Sequence, residues 1–294
     1  MKIGLIDIDS HNFPNLALMK ISAHHKAQMD DVVWWHALEH YDIVYKAKVF
    51  DNSYSADIDD PNNTDCLIKG GTGYGLGSKL LKGMEHMYPD YSIYPNFTEA
   101  YGFLTRGCPR NCSFCIVSKK EGCKSVQVAE LPEFWKDQKV VKLLDPNLLA
   151  CKDHEKILQN LIVSKAKIDF TQGLDARLLN SDNIALLQKV RKKLLHFAWD
   201  NDKNSDLILN NLQKYKTITN CHSSKAIVYI LTNFDMEFEF DLYRVNTLRQ
   251  LGFNPYVMIY DKPNAPQKVK HLQRWVNNRI IWGTVDKFED YKSL

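Results

Sequence analysis

Short apolar runs alternate with amphipathic stretches along most of this 294-residue chain. From residue 97 onward, six apolar runs predict strands, and the stretches between them carry apolar residues at helical spacing. The predicted strands are Tyr101–Thr105, Val140–Leu144, Lys167–Thr171, Leu194–Trp199, Ala226–Leu231 and Pro255–Tyr260. The predicted helices include His154–Ser164, Asp182–Lys193, Asp206–Lys214 and Leu242–Leu251. Strands that alternate with helices are typical of βαβ units on a parallel sheet, so we predict an α/β fold.

The first 96 residues show the same alternation in a shorter form. Strands are predicted at Lys2–Asp7, Asp31–Trp35, Ile43–Phe50 and Cys66–Lys69, with an amphipathic helix at Pro14–Gln28. This pattern predicts a small, open, Rossmann-like α/β domain over residues 1–96. A second α/β domain is predicted over residues 97–262, followed by a C-terminal extension over residues 263–294.

Composition and charge narrow the class of protein. The chain is 45% hydrophobic and 25% charged, which is ordinary for a globular protein. Because no apolar run approaches the roughly 20 residues that span a bilayer, no membrane partner is expected. The net charge of +3 is too small to indicate nucleic-acid binding by itself. The N-terminus lacks the apolar region of a secretory signal, and seven cysteines, an odd number, indicate reduced thiols in the cytoplasm.

Three cysteines are closely spaced at Cys108, Cys112 and Cys115, in the pattern Cys-x3-Cys-x2-Cys. Three such thiolates can bind one small iron–sulfur cluster, and four-iron clusters are usually held by four cysteines. Three ligands would leave one iron open, which indicates a cluster that takes part in chemistry. A zinc site closed by Cys123 is the alternative, because structural zinc takes four ligands. Nearby basic residues would then favour a zinc-stabilised nucleic-acid-binding protein without catalysis; they are Arg106, Arg110, Lys119, Lys120 and Lys124.

The cysteine segment resembles the signature loop of radical S-adenosylmethionine (SAM) enzymes, with the aromatic Phe114 just before the last cysteine. The resemblance implies a (β/α)6 partial barrel and a [4Fe-4S] cluster on Cys108, Cys112 and Cys115. It also implies that SAM binds the open iron, with Phe114 among its contacts, and is cleaved to a 5′-deoxyadenosyl radical. That radical abstracts hydrogen from a substrate that the sequence does not identify. An electron donor such as flavodoxin or ferredoxin is the implied partner.

Polar residues that follow the predicted strands are candidates for binding SAM, because ligands bind at the carboxyl ends of parallel strands. Asp145 stands where many members of the family carry Gly-Gly-Glu, and a carboxylate can pair with the SAM amino group. Arg177 is the candidate for the SAM carboxylate, since a guanidinium binds a carboxylate bidentately. Gln172, Asp200 and Asn233 are further candidates for contacts with SAM or the substrate. Helix capping is the alternative role for each Asp or Asn.

The first 96 residues resemble the cobalamin-binding-type domain that precedes the barrel in one class of radical SAM enzymes. Asp9 and His11 resemble an Asp-x-His-x-x-Gly motif whose His ligates cobalt, although Pro14 replaces the glycine. The glycine run at residues 70–77 would let backbone approach a nucleotide tail closely. The domain is short for a corrin, so a degenerate domain used for substrate docking is favoured. Cobalamin-dependent methyl transfer is the alternative function, with His11 as the cobalamin ligand.

The C-terminal stretch interleaves basic and aromatic residues, an arrangement that can contact nucleic acid. Leu272 and Trp275 are spaced at i and i+3, however, which favours an amphipathic helix that packs on the second domain. We therefore predict a closing helix, with nucleic acid as the alternative partner.

Overall fold

The structure, a computed structural model, describes residues 1–10, 13–51, 54–220 and 225–292 and has a mixed α/β fold with parallel sheets. It divides into two compact units. The first contains Met1–Gly102 and Ala129–Lys139, and the second contains Phe103–Val128 and Val140–Leu294. The first unit is thus longer than the predicted domain of residues 1–96, and residues 263–294 belong to the second unit.

The first unit contains a four-stranded parallel sheet. In chain order its elements are β1 (Lys2–Asp7), α1 (Leu16–Ala27), β2 (Asp31–Trp34), β3 (Tyr41–Ala47), β4 (Thr64–Gly70), α2 (Lys82–Glu85) and β5 (Ala100–Gly102). The sheet has the order β2-β1-β3-β4, and its neighbouring strands run parallel. All four predicted strands of this region and its predicted helix are confirmed, with ends displaced by up to three residues.

Helix α1 packs its apolar face on one side of this sheet. Asn15 caps the helix, since its side chain accepts a hydrogen bond from the backbone N–H of Leu18. Leu18 is buried in the same cluster as Ile3 and Leu5, which alternate along β1 and therefore point to one face. Burial of each such side chain contributes roughly 1.5–3 kcal/mol, so this contact accounts for the position of α1.

The second unit begins with short elements and continues with alternating strands and helices. In chain order they are β6 (Thr105–Arg106), α3 (Val117–Glu121), β7 (Val126–Gln127), β8 (Val140–Leu143), α4 (His154–Ser164), β9 (Lys167–Leu174), α5 (Ser181–Lys189), β10 (Lys192–Ala198), α6 (Ser205–Thr219), β11 (Ala226–Thr232), α7 (Phe238–Gln250), β12 (Asn254–Ile259), α8 (Gln267–Asn277) and α9 (Arg279–Thr284). Five strands form parallel pairs in the order β12-β11-β10-β9-β8. Because the strands are parallel, their carboxyl ends lie along one edge of the sheet.

The strands predicted from Val140 onward are confirmed, with ends that differ by at most three residues. The predicted strand Tyr101–Thr105 is wrong as a single element, because it is divided between β5 and β6. The backbone N–H groups of Leu104 and Thr105 donate to the Asp145 carboxylate, which explains the interruption. The predicted helix Asp182–Lys193 ends earlier, at Lys189, since β10 begins at Lys192, which pairs with Ile168 of β9.

The C-terminal helix α8 confirms the amphipathic interpretation of this stretch. Leu272 and Trp275 are both fully buried. The indole Nε1 of Trp275 donates a hydrogen bond to the carbonyl of Val285 at 3.0 Å, which fixes the chain after α9. Within the described residues, no helix combines the length and the apolar character needed to cross a membrane.

Candidate functional site

Residues 107–116, which we call the cysteine loop, connect β6 to α3. Strands β6 and β7 pair antiparallel and close the loop at its base. The N–H of Cys108 donates to the carbonyl of Gly122, and the N–H of Cys115 donates to the carbonyl of Cys112, each at 3.0 Å. Gly107 has a φ of +87°, and a Cβ on it would lie 2.0 Å from the carbonyl oxygen of Lys124. Only glycine fits there, so this position fixes how the chain enters the loop.

The three thiols of the cysteine loop are partly buried and lie close enough to influence one another. Burial raises the pKa of the Cys112 thiol, and Asp200 and the other two cysteines raise it further, whereas Arg177 lowers it. Burial lowers the pKa of Arg177, but the hydrogen bond and charge of Asp175, together with the charges of Cys112 and Asp200, outweigh burial and raise it. Arg110 of the cysteine loop donates to Asp175, so the loop lies beside the polar residues that follow β9.

Asn147 connects Cys108 to this polar group. Its Nδ2 donates to the Cys108 Sγ at 3.5 Å and to a carboxylate oxygen of Asp175 at 3.4 Å. The side chain is buried, and its Oδ1 has no hydrogen-bond partner among the described residues. A buried polar atom without a partner is costly, and its presence beside the thiols is a feature expected of a site that takes a ligand.

Asp175 accepts hydrogen bonds from two basic residues of the site. Its carboxylate receives Arg177 Nε at 2.7 Å, Arg177 Nη2 at 3.2 Å and Arg110 Nε at 2.5 Å. Burial tends to raise the pKa of Asp175, but the bonds and charges of Arg177 and Arg110 outweigh burial and keep that pKa below its ordinary value. The sequence predictions did not include Asp175. Its position two residues before Arg177, just after a strand, was the available signal.

Asp145 lies after β8 and is fully buried. Its carboxylate accepts hydrogen bonds from the Leu104 N–H at 3.2 Å, the Thr105 N–H at 2.5 Å and the Thr105 hydroxyl at 2.7 Å. Burial raises the pKa of Asp145 to about 6 in spite of these bonds. Asp145 therefore fixes the segment that leads into the cysteine loop. Its pairing with the SAM amino group stays a prediction.

The other predicted SAM contacts occupy different positions around this edge of the sheet. Phe114 packs edge-on against Phe234, with ring centroids 5.6 Å apart, so the cysteine loop contacts the segment after β11. Asn233, with a φ of +59°, donates from Nδ2 to the carbonyl of Tyr260 at 2.8 Å and joins the ends of β11 and β12. Gln172 lies on β9 with an exposed side chain. Burial raises the pKa of Asp200, whereas Arg244 and Arg177 lower it.

The structure thus gathers some of the predicted site residues and separates others. Hydrogen bonds connect Cys108 through Asn147 to Asp175, and Asp175 to Arg177. Within residues 1–10, 13–51, 54–220 and 225–292, no group of three or more His, Cys, Asp or Glu side chains that could hold a metal ion is found. The chemistry of the donor set nevertheless fits an iron–sulfur cluster, because three soft thiolates lie on one short loop. Cys123 is exposed, and its thiol contacts the carbonyl of Ser118.

Two of the residues considered for a cobalamin site, Asp9 and Gly71, have other contacts in the first unit. His11 lies outside the described residues. The Asp9 carboxylate accepts hydrogen bonds from the N–H groups of Val49 at 2.9 Å and Phe50 at 2.8 Å, just past the end of β3. Gly71 has a φ of +100°, and a Cβ on it would lie 2.1 Å from the carbonyl oxygen of Lys48. This close approach of two backbone segments explains the glycine without a nucleotide.

Comparison with models of known protein families gave no match, and comparison with curated proteins gave none either.

Proposed function

We propose that this chain is a radical SAM enzyme in which Cys108, Cys112 and Cys115 hold a [4Fe-4S] cluster. The observation that carries the proposal is the cysteine loop itself, a Cys-x3-Cys-x2-Cys segment that is joined to Asn147 through Cys108 and to Asp175 through Arg110. Held by these three cysteines, the cluster would supply the chemistry of passing an electron from an external donor to SAM, so that a 5′-deoxyadenosyl radical could take hydrogen from the substrate. The proposal extends to a (β/α)6 partial barrel, and the alternation of parallel strands with helices after the cysteine loop supports it.

The residues of the chain have distinct proposed roles in this site. Arg177 binds the SAM carboxylate, and Asp175 orients it through Nε and Nη2. A guanidinium has five N–H donors, so two bonds to Asp175 do not exhaust it. Asp200 accepts hydrogen bonds from ribose hydroxyls or from the substrate. Phe114, packed on Phe234, excludes water from one side of the loop, as a reactive radical requires.

Cobalamin is not part of the proposal. The Asp9 carboxylate is engaged by the backbone after β3, and Gly71 is explained by backbone packing. An electron donor of the flavodoxin or ferredoxin type remains the proposed partner.

The test compares single Cys→Ser variants after anaerobic reconstitution with iron and sulfide. We expect about four iron atoms per chain in the wild-type protein, together with conversion of SAM to 5′-deoxyadenosine under a strong reductant. Cys108→Ser, Cys112→Ser and Cys115→Ser should each lose both properties. Cys66→Ser and Cys123→Ser are matched controls, because both residues are exposed and lie outside the cysteine loop.

The Cys123→Ser control also separates the proposal from the zinc alternative. A zinc site needs a fourth ligand, so a zinc-stabilised nucleic-acid-binding protein would lose its metal in this variant. About one zinc and no iron per chain, with loss of that zinc in Cys123→Ser, would contradict the radical SAM proposal. Full iron content and SAM cleavage in Cys123→Ser would exclude the zinc alternative.

A further inference from the structure

The first unit contains a cavity of about 310 Å³ at the carboxyl ends of β1 and β2. Asp7 is the last residue of β1, Trp34 is the last residue of β2, and both line the cavity. Ser10 and residues 93–97 form the remaining wall. Ligands of parallel α/β sheets bind at this end of the strands. The volume lies at the lower end of the range for small-molecule sites, about 300–1,000 Å³, and suits one ring system.

Aromatic rings form much of the wall of this cavity. Trp34 and Tyr94 pack edge-to-face with centroids 5.4 Å apart, and Tyr94 and Phe97 do so at 6.3 Å. Trp34 is 42% exposed although it is a large aromatic side chain at a strand end. An indole face of this kind is a surface on which a planar group can stack.

Asp7 adds a charged acceptor to the aromatic wall. Tyr94 donates its hydroxyl proton to Asp7 Oδ2 at 2.5 Å, and the N–H of Ser10 donates to Asp7 Oδ1 at 3.2 Å. These bonds fix the plane of the carboxylate. An ionised carboxylate has about four acceptor sites, so each oxygen retains a second site after these two bonds.

We propose that this cavity binds a planar group that presents two adjacent N–H donors, stacked on Trp34 and hydrogen-bonded to Asp7. Two parallel N–H groups match the two oxygens of a carboxylate. A guanine base carries such a pair on its N1 and N2 edge, and a guanidinium carries one as well. On adenine, the ring nitrogen beside the amino group is an acceptor. Its lone pair would face a carboxylate oxygen and repel it. The ligand is therefore defined by this pair of N–H donors, which either a guanine base or an arginine side chain can supply.

The test measures binding to the full-length protein by isothermal titration calorimetry. The probes are guanosine, N-acetyl-arginine methylamide, adenosine and 1-methylguanosine. We expect saturable binding of guanosine or of the arginine probe, with adenosine at least about tenfold weaker. If guanosine is the ligand, 1-methylguanosine should also bind about tenfold or more weakly, since its methyl group removes one donor. This comparison changes the ligand and leaves the protein intact.

Protein variants provide the second arm of the test. Asp7→Asn and Trp34→Ala should each weaken binding of the same probe about tenfold or more. Asp59→Asn and Tyr54→Ala are matched controls, because they alter an exposed carboxylate and an exposed aromatic residue of the same unit.

Binding of guanosine would identify the donor pair as a nucleobase, and binding of the arginine probe would identify it as a guanidinium. The proposal is overturned if the folded protein binds neither probe, if adenosine binds as tightly as the better probe, or if Asp7→Asn binds that probe as the wild type does. The measurement uses protein without iron. Its outcome is therefore independent of the radical SAM proposal.

Discussion

At the scale of single residues, two buried side chains organise the candidate site. Asp175 holds Arg177 and Arg110, and Asn147 donates to both Asp175 and the Cys108 sulfur. Side chains that are fixed by such bonds place a binding group within a small range of positions. The cysteine loop is thus connected through hydrogen bonds to the residues proposed to bind SAM.

The hydrogen bond from Asn147 to the Cys108 sulfur should raise the midpoint potential of a cluster held by the cysteine loop. An N–H donor stabilises the more negative, reduced form of a thiolate-bound cluster. Replacement Asn147→Leu keeps a similar volume and removes that donor, which is worth about 1 kcal/mol. For one electron this corresponds to a decrease of about 40 mV in the midpoint potential. The potential is measured by redox titration followed by electron paramagnetic resonance.

An exposed asparagine provides the control for this prediction. Asn264→Leu, at an exposed position where the amide donates to Asp261, should leave the potential unchanged. Iron content should be the same in both variants and in the wild type. An unchanged midpoint potential in Asn147→Leu would show that the hydrogen bond does not tune the cluster.

The sequence predicted the cysteine loop but could not predict which polar residues would pair with one another. Cys108, Cys112 and Cys115 are recognisable because their spacing is local. The partners of Asp145 are Leu104 and Thr105, about 40 residues earlier in the chain. Such a contact depends on the position of β8 beside the chain before the loop. The position of Asp145 after a predicted strand therefore indicated a buried carboxylate at the site correctly. That this carboxylate binds the SAM amino group remains a prediction.

At the scale of elements, Arg244 joins the carboxyl ends of two strands. This arginine on α7 is fully buried and donates to the carbonyls of Trp199, after β10, and Leu231, in β11. It also pairs with Asp241 one turn earlier in the helix. Burial raises the pKa of Asp241 to about 6, and Arg244 opposes this rise. The pair thus fixes the strand ends beside Asp200.

Removal of this arginine should destabilise the protein strongly. In Arg244→Met, two carbonyls and a buried carboxylate lose their partner, so the free energy of unfolding should fall by about 3–5 kcal/mol. The loss is measured by urea unfolding at neutral pH. The double variant Arg244→Met with Asp241→Leu should lose less than the sum of the two single variants, since no unpaired charge remains.

An exposed arginine is the matched control for this experiment. Arg274→Met on α8 should change the free energy of unfolding by no more than about 0.5 kcal/mol. A loss below about 1 kcal/mol in Arg244→Met would contradict the assigned role of the buried pair.

Element types were more predictable than element boundaries. Helix α4 matches its predicted range of His154–Ser164, because its apolar spacing is regular and its start and end are polar. Strand β9 continues to Leu174, three residues past the predicted Thr171, through an irregular pairing with β10. The glycine at position 173, with a φ of +89°, permits that irregularity, which hydrophobic spacing alone does not predict.

At the scale of the whole molecule, neither unit is one continuous segment of the chain. Residues 129–139 follow the cysteine loop in sequence but belong to the first unit. Within that unit, Tyr91 donates its hydroxyl proton to the carbonyl of Phe134 at 2.6 Å. Alternation of strands and helices predicts the class of fold, but it contains no signal for a segment that returns to an earlier unit. For that reason the predicted first domain, residues 1–96, does not include residues 129–139.

The stability of the whole molecule should depend on pH through Asp145. Its pKa in the folded protein is raised to about 6 by burial, compared with an ordinary value of 3.8. The folded state therefore binds a proton more tightly than the unfolded state does. The stability from this proton is fully present below the ordinary pKa and is lost as the pH rises through about 6. Between pH 4 and pH 7, this residue alone should remove about 2 kcal/mol from the free energy of unfolding.

The variant Asp145→Asn isolates this contribution, because it cannot titrate. Urea unfolding of the wild type and the variant between pH 4 and pH 7 gives the difference in their free energies of unfolding. The free energy of unfolding of the wild type minus that of the variant should be about 2 kcal/mol larger at pH 4 than at pH 7. Asp235→Asn removes an exposed carboxylate and controls for the change in net charge. A difference that is constant with pH would show that the pKa of Asp145 is the same in the folded and the unfolded protein. Its three hydrogen bonds to Leu104 and Thr105 would then offset burial.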